Sequence, residues 1–219
     1  MDVDVRQLGD AAIIATLGDD LDPTTVACAR SLYGRVREEP PRGVVDAVPA
    51  YASVLVRFDP EVASPQDVMI AVRAAAAGKL LQRTSRTGLI SVSVFFGGDE
   101  GPDLESSAAM LEMEPRELVR RFCGATYEVA FLGFLAGFPY MIGLPQELKL
   151  QRHATPRAEV ASGSVAIAGP QCGIYPRAAP GGWRILGRTD AVLFDPFRGR
   201  AALFAPGDIV RFVASQSRA

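Results

Sequence analysis

The sequence predicts an α+β protein in two parts, a small split-βαβ unit over residues 1–97 and a small β-barrel or sandwich over residues 98–219. Two observations lead there. The first hundred or so residues alternate short β-favouring runs with two helix patterns, each opened by a capping residue and a proline. After Thr126 the texture changes to short β-type pieces separated by glycine or proline. An apolar fraction of 48% over 219 residues is enough to build a proper core.

Residues 3–8 and 11–17 read as strands split by Gly9-Asp10. Asp22-Pro23 then opens a helix whose Val26, Ala29, Tyr33 and Val36 recur at helical spacing, and Glu38-Glu39-Pro40-Pro41 stops it. Residues 43–48 and 53–58 are the next two strands. Ser64-Pro65-Gln66-Asp67 repeats the cap-plus-proline signal and starts a second helix through Val68, Ala71, Val72 and Ala75. Residues 89–96 alternate and are expected to close this unit as a strand, with GGDEG at 97–101 as a hinge. Two short helices follow at 103–111 and 115–122, then strands at 127–132, 164–168, 173–175, 183–186, 191–194, 201–204 and 209–213. No chemical motif falls in the first unit, so it reads as a scaffold or docking domain.

A formal net charge of −2 and the lack of a basic stripe exclude a nucleic-acid footprint. No apolar run reaches membrane-spanning length, and the opening MDVDVRQLGD is acidic rather than signal-like. Cys28, Cys123 and Cys172 are widely spaced and read as free thiols, so a soluble cytoplasmic protein is expected. There is no P-loop, no HExxH and no GxSxG elbow, and a single histidine argues against a histidine-based metal site. The acidic cluster Asp99, Glu100, Asp103 and Glu105 reads as part of a solvated hinge.

The chemistry is concentrated in residues 133–189, where glycines, prolines and aromatics are interleaved. His153 lies between Arg152 and Arg157 in QRHATPR. This is either a surface histidine beside two arginines, or an anion clamp in which Arg157 holds a carboxylate or phosphate and His153 moves a proton. Gln171 and Tyr175, in GPQCGIYP, either shape a turn or present an amide and a phenol to a small polar ligand. Gly137, Phe138 and Tyr140 belong to a glycine-flanked aromatic stretch that lines a pocket or makes a subunit contact. Trp183 reads as a core or interface aromatic.

These residues carry a resemblance. GF-x-x-GFPY-x-x-GLP, ATPR, GSVAIAG-x-Q-x-GIYP and PGGW-x-x-x-GRT occur in order, and DAVPAYASVLVRFDP extends the likeness towards the N-terminus. In them the chain resembles the family of allophanate hydrolase subunit 1, also read as the B subunit of prokaryotic 5-oxoprolinase, which includes an inhibitor of a sporulation histidine kinase. The resemblance implies a cyclophilin-like barrel for the second domain. It also implies a larger carboxyltransferase-like partner subunit, a third 5-oxoprolinase subunit, and ATP-dependent opening of 5-oxoproline to glutamate, with ATP held in the complex. On that reading Arg157 and His153 are catalytic and Gln171, Tyr175, Gly137, Phe138 and Tyr140 bind substrate. The alternatives are an interaction protein that inhibits a histidine kinase, or a subunit of an allophanate- or urea-type amidohydrolase. The chain departs from the family pattern at Phe122, Ala136, Pro170 and Cys172, and has His153 where arginine is frequent.

Overall fold

The computed structural model describes residues 3–18, 21–77 and 89–215. The chain divides into two compact units, Met1–Thr84 and Ser85–Ala219.

In the first unit, β1 (Asp4–Gln7), β2 (Ala12–Thr16), α1 (Pro23–Glu38), β3 (Val44–Pro49), β4 (Ser53–Phe58) and α2 (Pro65–Ala76) follow one another. The sheet order is β1-β2-β4-β3, every neighbouring pair antiparallel. β2 and β3 therefore run the same way with β4 between them, and β2–α1–β3 is the split βαβ unit. Both helices begin as the sequence predicts. The Asp22 carboxylate accepts the Thr24 and Thr25 amides at 2.8 and 3.2 Å, and the Ser64 hydroxyl accepts the Asp67 amide at 3.2 Å. Alternate residues of β2 and β4 (Ile13, Ala15, Val54, Val56, Phe58) pack with Leu32, Val36, Val68 and Val72 of the helices in one core.

The second unit contains β5 (Leu89–Phe96), α3 (Leu104–Met110), α4 (Pro115–Gly124), β6 (Tyr127–Leu132), β7 (Pro139–Ile142), β8 (Arg157–Val160), β9 (Ser164–Ala168), β10 (Gln171–Ile174), β11 (Ala179–Gly181), β12 (Arg184–Arg188) and β13 (Ile209–Ala214). Seven strands close a barrel in the order β10-β7-β6-β13-β5-β12-β9, while β8 and β11 form a separate two-stranded ribbon. The placement of residues 89–96 corrects the expectation. β5 does not close the first unit but pairs in parallel with β13, so the start and end of the unit stitch the barrel together. Alternation alone marks a strand and says nothing about which sheet receives it.

Other differences have local causes. Residues 191–194 and 201–204 pair with each other through the single bridge Phe194 with Ala202, flanked by bonds from the Leu203 amide to the Leu193 carbonyl and from the Asp195 amide to the Ala201 carbonyl, both 2.8 Å, and join none of the barrel strands. β7 and β11 carry prolines that argue against strands, and both tolerate them, β7 at its first residue and β11 within the two-stranded ribbon.

The barrel interior holds Val165, Ile167, Cys172, Ile174, Leu186 and Val210, and α3 and α4 add Leu104, Ala108, Leu118 and Phe122 to the same core. Phe122 stacks on Phe212 at 4.8 Å between ring centroids and is fully buried, so its departure from the family pattern fills the core. β9 is buried along its whole length. Its inward Val165 and Ile167 face the interior, and its outward Ala166 lies in a second cluster with Phe138, Val160, Tyr175, Ala179 and Ile185. That outer cluster is the floor on which the site is built.

Candidate functional site

The β8–β11 ribbon, the 133–137 turn and the segment 151–156 surround a groove on the outer face of the barrel. One lobe, of about 350 Å³, is lined by Phe134, Phe138, Tyr140, Arg152, Pro156, Tyr175, Pro180, Gly181, Gly182 and Trp183. An adjoining lobe of about 450 Å³ shares Tyr140, Arg152 and Trp183 and adds Gln151, Gln171 and Pro170. The rings meet edge to face, Phe138 with Tyr175 at 5.2 Å, Phe138 with Trp183 at 5.6 Å and Tyr140 with Trp183 at 5.7 Å between centroids. This geometry suits aromatic quadrupoles and fixes the walls in place.

Phe134 stands at φ 63°, a left-handed conformation that is costly for a bulky side chain, roughly 1–2 kcal/mol. The turn enforces it through bonds from the Gly133 amide to the Phe138 carbonyl at 3.2 Å and from the Phe138 amide to the Leu135 carbonyl at 3.0 Å. The strained residue is a groove wall, 59% exposed.

Beside the groove lies a buried carboxylate. Asp103 occupies the N-cap position of α3, yet its side chain makes no cap bond. It turns instead to Arg157, which donates to it in bidentate fashion at 2.7 and 2.9 Å, and to the Ile185 amide at 2.7 Å. Nε2 of His153 lies 3.2 Å from Oδ1 of Asp103, too poorly aligned for a hydrogen bond, so this buried nitrogen points at the carboxylate with no bond formed. Burial opposes the charge on Asp103. The Arg157 guanidinium and the Ile185 amide outweigh it and hold the carboxyl below its ordinary value.

The knot reaches the groove through the backbone. Arg157 is registered opposite Gly181, and the His153 amide donates to the Gly182 carbonyl at 2.7 Å. Neither His153 nor Arg157 is among the lining residues, although each is partly open to solvent, with side chains 27% and 34% exposed.

The structure thus draws Phe138, Tyr140, Tyr175 and Gln171 to one groove and sets His153 and Arg157 next to it. Gly137 does not line it. At φ +83° it lets the turn close on the 193–194 segment, where an added Cβ would meet the Phe194 Cβ at 2.8 Å. The reading of Arg157 as an open anion clamp changes, because its bidentate partner is the chain's own Asp103. The reading of Asp103 as a solvated hinge residue changes too: it is 4% exposed. Its partners lie 54 and 82 positions away, and no local signal marks them. Arg152 and Trp183 also join the groove, and for Arg152 the only sequence signal is its place next to His153.

The Tyr175 phenol is pushed up to about 12, chiefly by burial and further by Tyr140, so it stays a neutral donor at working pH. Cys172, another departure from the family pattern, faces the barrel interior and is fully buried, whereas Pro170 lines the second lobe and Ala136 sits in the exposed part of the turn. Among the described residues no group of three or more His, Cys, Asp or Glu could hold a metal ion, and no helix is long and apolar enough to cross a membrane.

Residues 3–204 match the family described as carboxyltransferase domain, subdomain C and D. The chain is 37% identical over 210 residues to the 5-oxoprolinase B subunit of Escherichia coli O157:H7, covering 94% of this chain and 93% of that protein. It is 31% identical over 221 residues to the 5-oxoprolinase B subunit of Bacillus subtilis strain 168, covering 95% and 91%. Among solved structures, TTHA0988 superimposes with a TM-score of 0.83 at 30% identity; the match covers 98% of this chain but 41% of that one, so the same fold there is part of a much longer polypeptide. The motifs, the barrel and these likenesses agree, and the chain belongs to the carboxyltransferase subdomain C and D family.

Proposed function

We propose that the chain is a non-autonomous subunit of a heteromeric, ATP-dependent 5-oxoprolinase, active together with a larger carboxyltransferase-like subunit and a third 5-oxoprolinase subunit. The observation that carries this reading is the juxtaposition of a preformed aromatic groove with the Asp103–Arg157–His153 knot. A small, flat cyclic amide suits such a slot. Its ring faces can lie against Phe138, Tyr140 and Trp183, and its amide can pair with the Tyr175 phenol and the Gln171 side chain. Likeness over nearly the whole chain to proteins named as the B subunit of 5-oxoprolinase supports the same substrate class.

The chemistry requires coupling, because the five-membered lactam is a stable amide. The lactam oxygen takes the terminal phosphoryl group of ATP and ADP leaves, giving an imidate-type carbon open to water. Water adds, the ring C–N bond breaks with a proton going to nitrogen, and a second water releases phosphate from the acyl phosphate. In this reading His153 carries the proton, and Arg157, paired with Asp103, holds β8 in register with Gly181 of the groove wall. ATP is held in the complex, on elements other than a P-loop of this chain.

The test is reconstitution of the chain with its partner subunits. ATP hydrolysis that depends on 5-oxoproline, yields glutamate, and is lost in Arg157→Ala while the complex stays assembled would uphold the reading. Unchanged turnover in the Arg157→Ala/His153→Ala double variant would remove these residues from the site. Nanomolar binding of the isolated chain to a histidine kinase, with no 5-oxoproline turnover, would replace the reading with that of an interaction protein.

A further inference from the structure

We infer that Arg152 is the residue that makes this groove select a carboxylate-bearing ring over a neutral one. The inference rests on the proposed 5-oxoprolinase reading and names the group that recognises the substrate's exocyclic carboxylate.

Three observations lead to it. Arg152 lines both lobes of the groove, at the wall they share with Tyr140 and Trp183. Arg157, the other arginine of the motif, is occupied by Asp103 and lines neither lobe. The Arg152 guanidinium makes no ion pair or hydrogen bond with any described residue, while Arg184 and Arg188 do.

The backbone on either side of Arg152 is nevertheless held. On one side, Arg184 donates from Nε to the Gln151 carbonyl at 2.9 Å; on the other, the His153 amide donates to the Gly182 carbonyl at 2.7 Å. The backbone of Arg152 is thus tied at both neighbours, and the side chain is left to project along the groove. A guanidinium presents paired N–H groups that match a carboxylate in bidentate fashion. A carboxylate bound there would lie in the groove that Tyr140 and Trp183 also line. In a chain of net charge −2, an anionic substrate needs a local cation of this kind.

The experiment uses the reconstituted complex, with 5-oxoproline and the neutral lactam 2-pyrrolidinone as paired substrates. Trp183, the only tryptophan of the chain, lines the groove, so its emission gives a second readout of binding that does not depend on turnover. Arg152→Ala is expected to raise KM for 5-oxoproline by about tenfold or more with kcat changed by less than about threefold, and to leave 2-pyrrolidinone handling unaltered. Arg152→Lys should recover part of the loss, and quenching of Trp183 by 5-oxoproline should shift to the same higher concentration in Arg152→Ala. Equal KM and equal quenching in wild type and Arg152→Ala would overturn the inference while leaving the functional reading intact. Wild-type complex that neither turns over nor binds 5-oxoproline would overturn both.

Discussion

Asp103→Asn is the substitution that most directly tests the architecture of the site. The replacement keeps the shape of the side chain but removes its charge, and its amide nitrogen cannot accept the second Arg157 N–H. In the native protein the carboxylate receives two charge-assisted bonds from Arg157, at 2.7 and 2.9 Å, and one from the Ile185 amide at 2.7 Å. Breaking a fully buried ion pair costs about 3–5 kcal/mol, but the Arg157 side chain is 34% exposed and can regain water, so the expected loss is about 2–3 kcal/mol. Urea denaturation followed by Trp183 emission reports on the barrel unit. With a slope of about 2 kcal/mol per molar, the midpoint should fall by roughly 1–1.5 M.

The Asp103→Asn/Arg157→Gln double variant should be less destabilised than the sum of the single ones, by about 1–3 kcal/mol. Acid should erase the difference. Asp103 is held below its unfolded-state value, so its ionised form stabilises the fold above about pH 4, and that contribution vanishes as pH falls through the lower folded value. Wild type and Asp103→Asn should therefore draw together in stability as pH falls from about 4 through that lower folded value. A midpoint shift under about 0.2 M at neutral pH, with fully additive single variants, would refute the claim that this carboxylate holds the groove wall.

Further outcomes follow from packing and burial. A Cβ on residue 181 would lie 2.2 Å from the Tyr175 hydroxyl, so Gly181→Ala should cost about 1–3 kcal/mol and shift Trp183 emission; an unchanged midpoint would contradict the close approach. Burial raises both Tyr175, to about 12, and Tyr127, so ultraviolet titration should leave at least these two of the five tyrosines un-ionised at pH 11. Both phenols favour the fold while neutral, so stability should be full below about pH 10 and fall as pH climbs towards 12. The Cys172 thiol is pushed well up by burial and should resist alkylation until the barrel unfolds, whereas half-buried Cys28 and Cys123 should react first; early labelling of Cys172 would place it outside the core.

Local signals are legible wherever the physics is local. Asp22-Pro23 and Ser64-Pro65 start α1 and α2 because a cap and a proline act on the next turn alone. Period-two alternation finds β2, β4 and β5, but sheet membership depends on partners far along the chain. Alternation therefore sends β5 to the wrong unit, and it turns the 191–204 hairpin into two strands where the structure has a single bridge. The glycine-, proline- and aromatic-rich 133–189 segment reads as a binding surface from composition, and in the structure Phe138, Tyr140, Tyr175 and Gln171 line one groove.

The sequence by itself determined the α+β class, the helix starts, the family and the segment that lines the groove, since each of these is written in adjacent residues or ordered motifs. Tertiary structure alone decided which arginine is spent and which is open. Asp103 meets Arg157 and the Ile185 amide only because the barrel brings the start of α3 against β8 and β12, and that long-range ion pair leaves Arg152 as the cation facing the groove. Charge pairing across more than fifty residues has no periodicity to read. It comes into being when the barrel brings the buried Asp103 carboxylate against Arg157 of β8 and the Ile185 amide of β12.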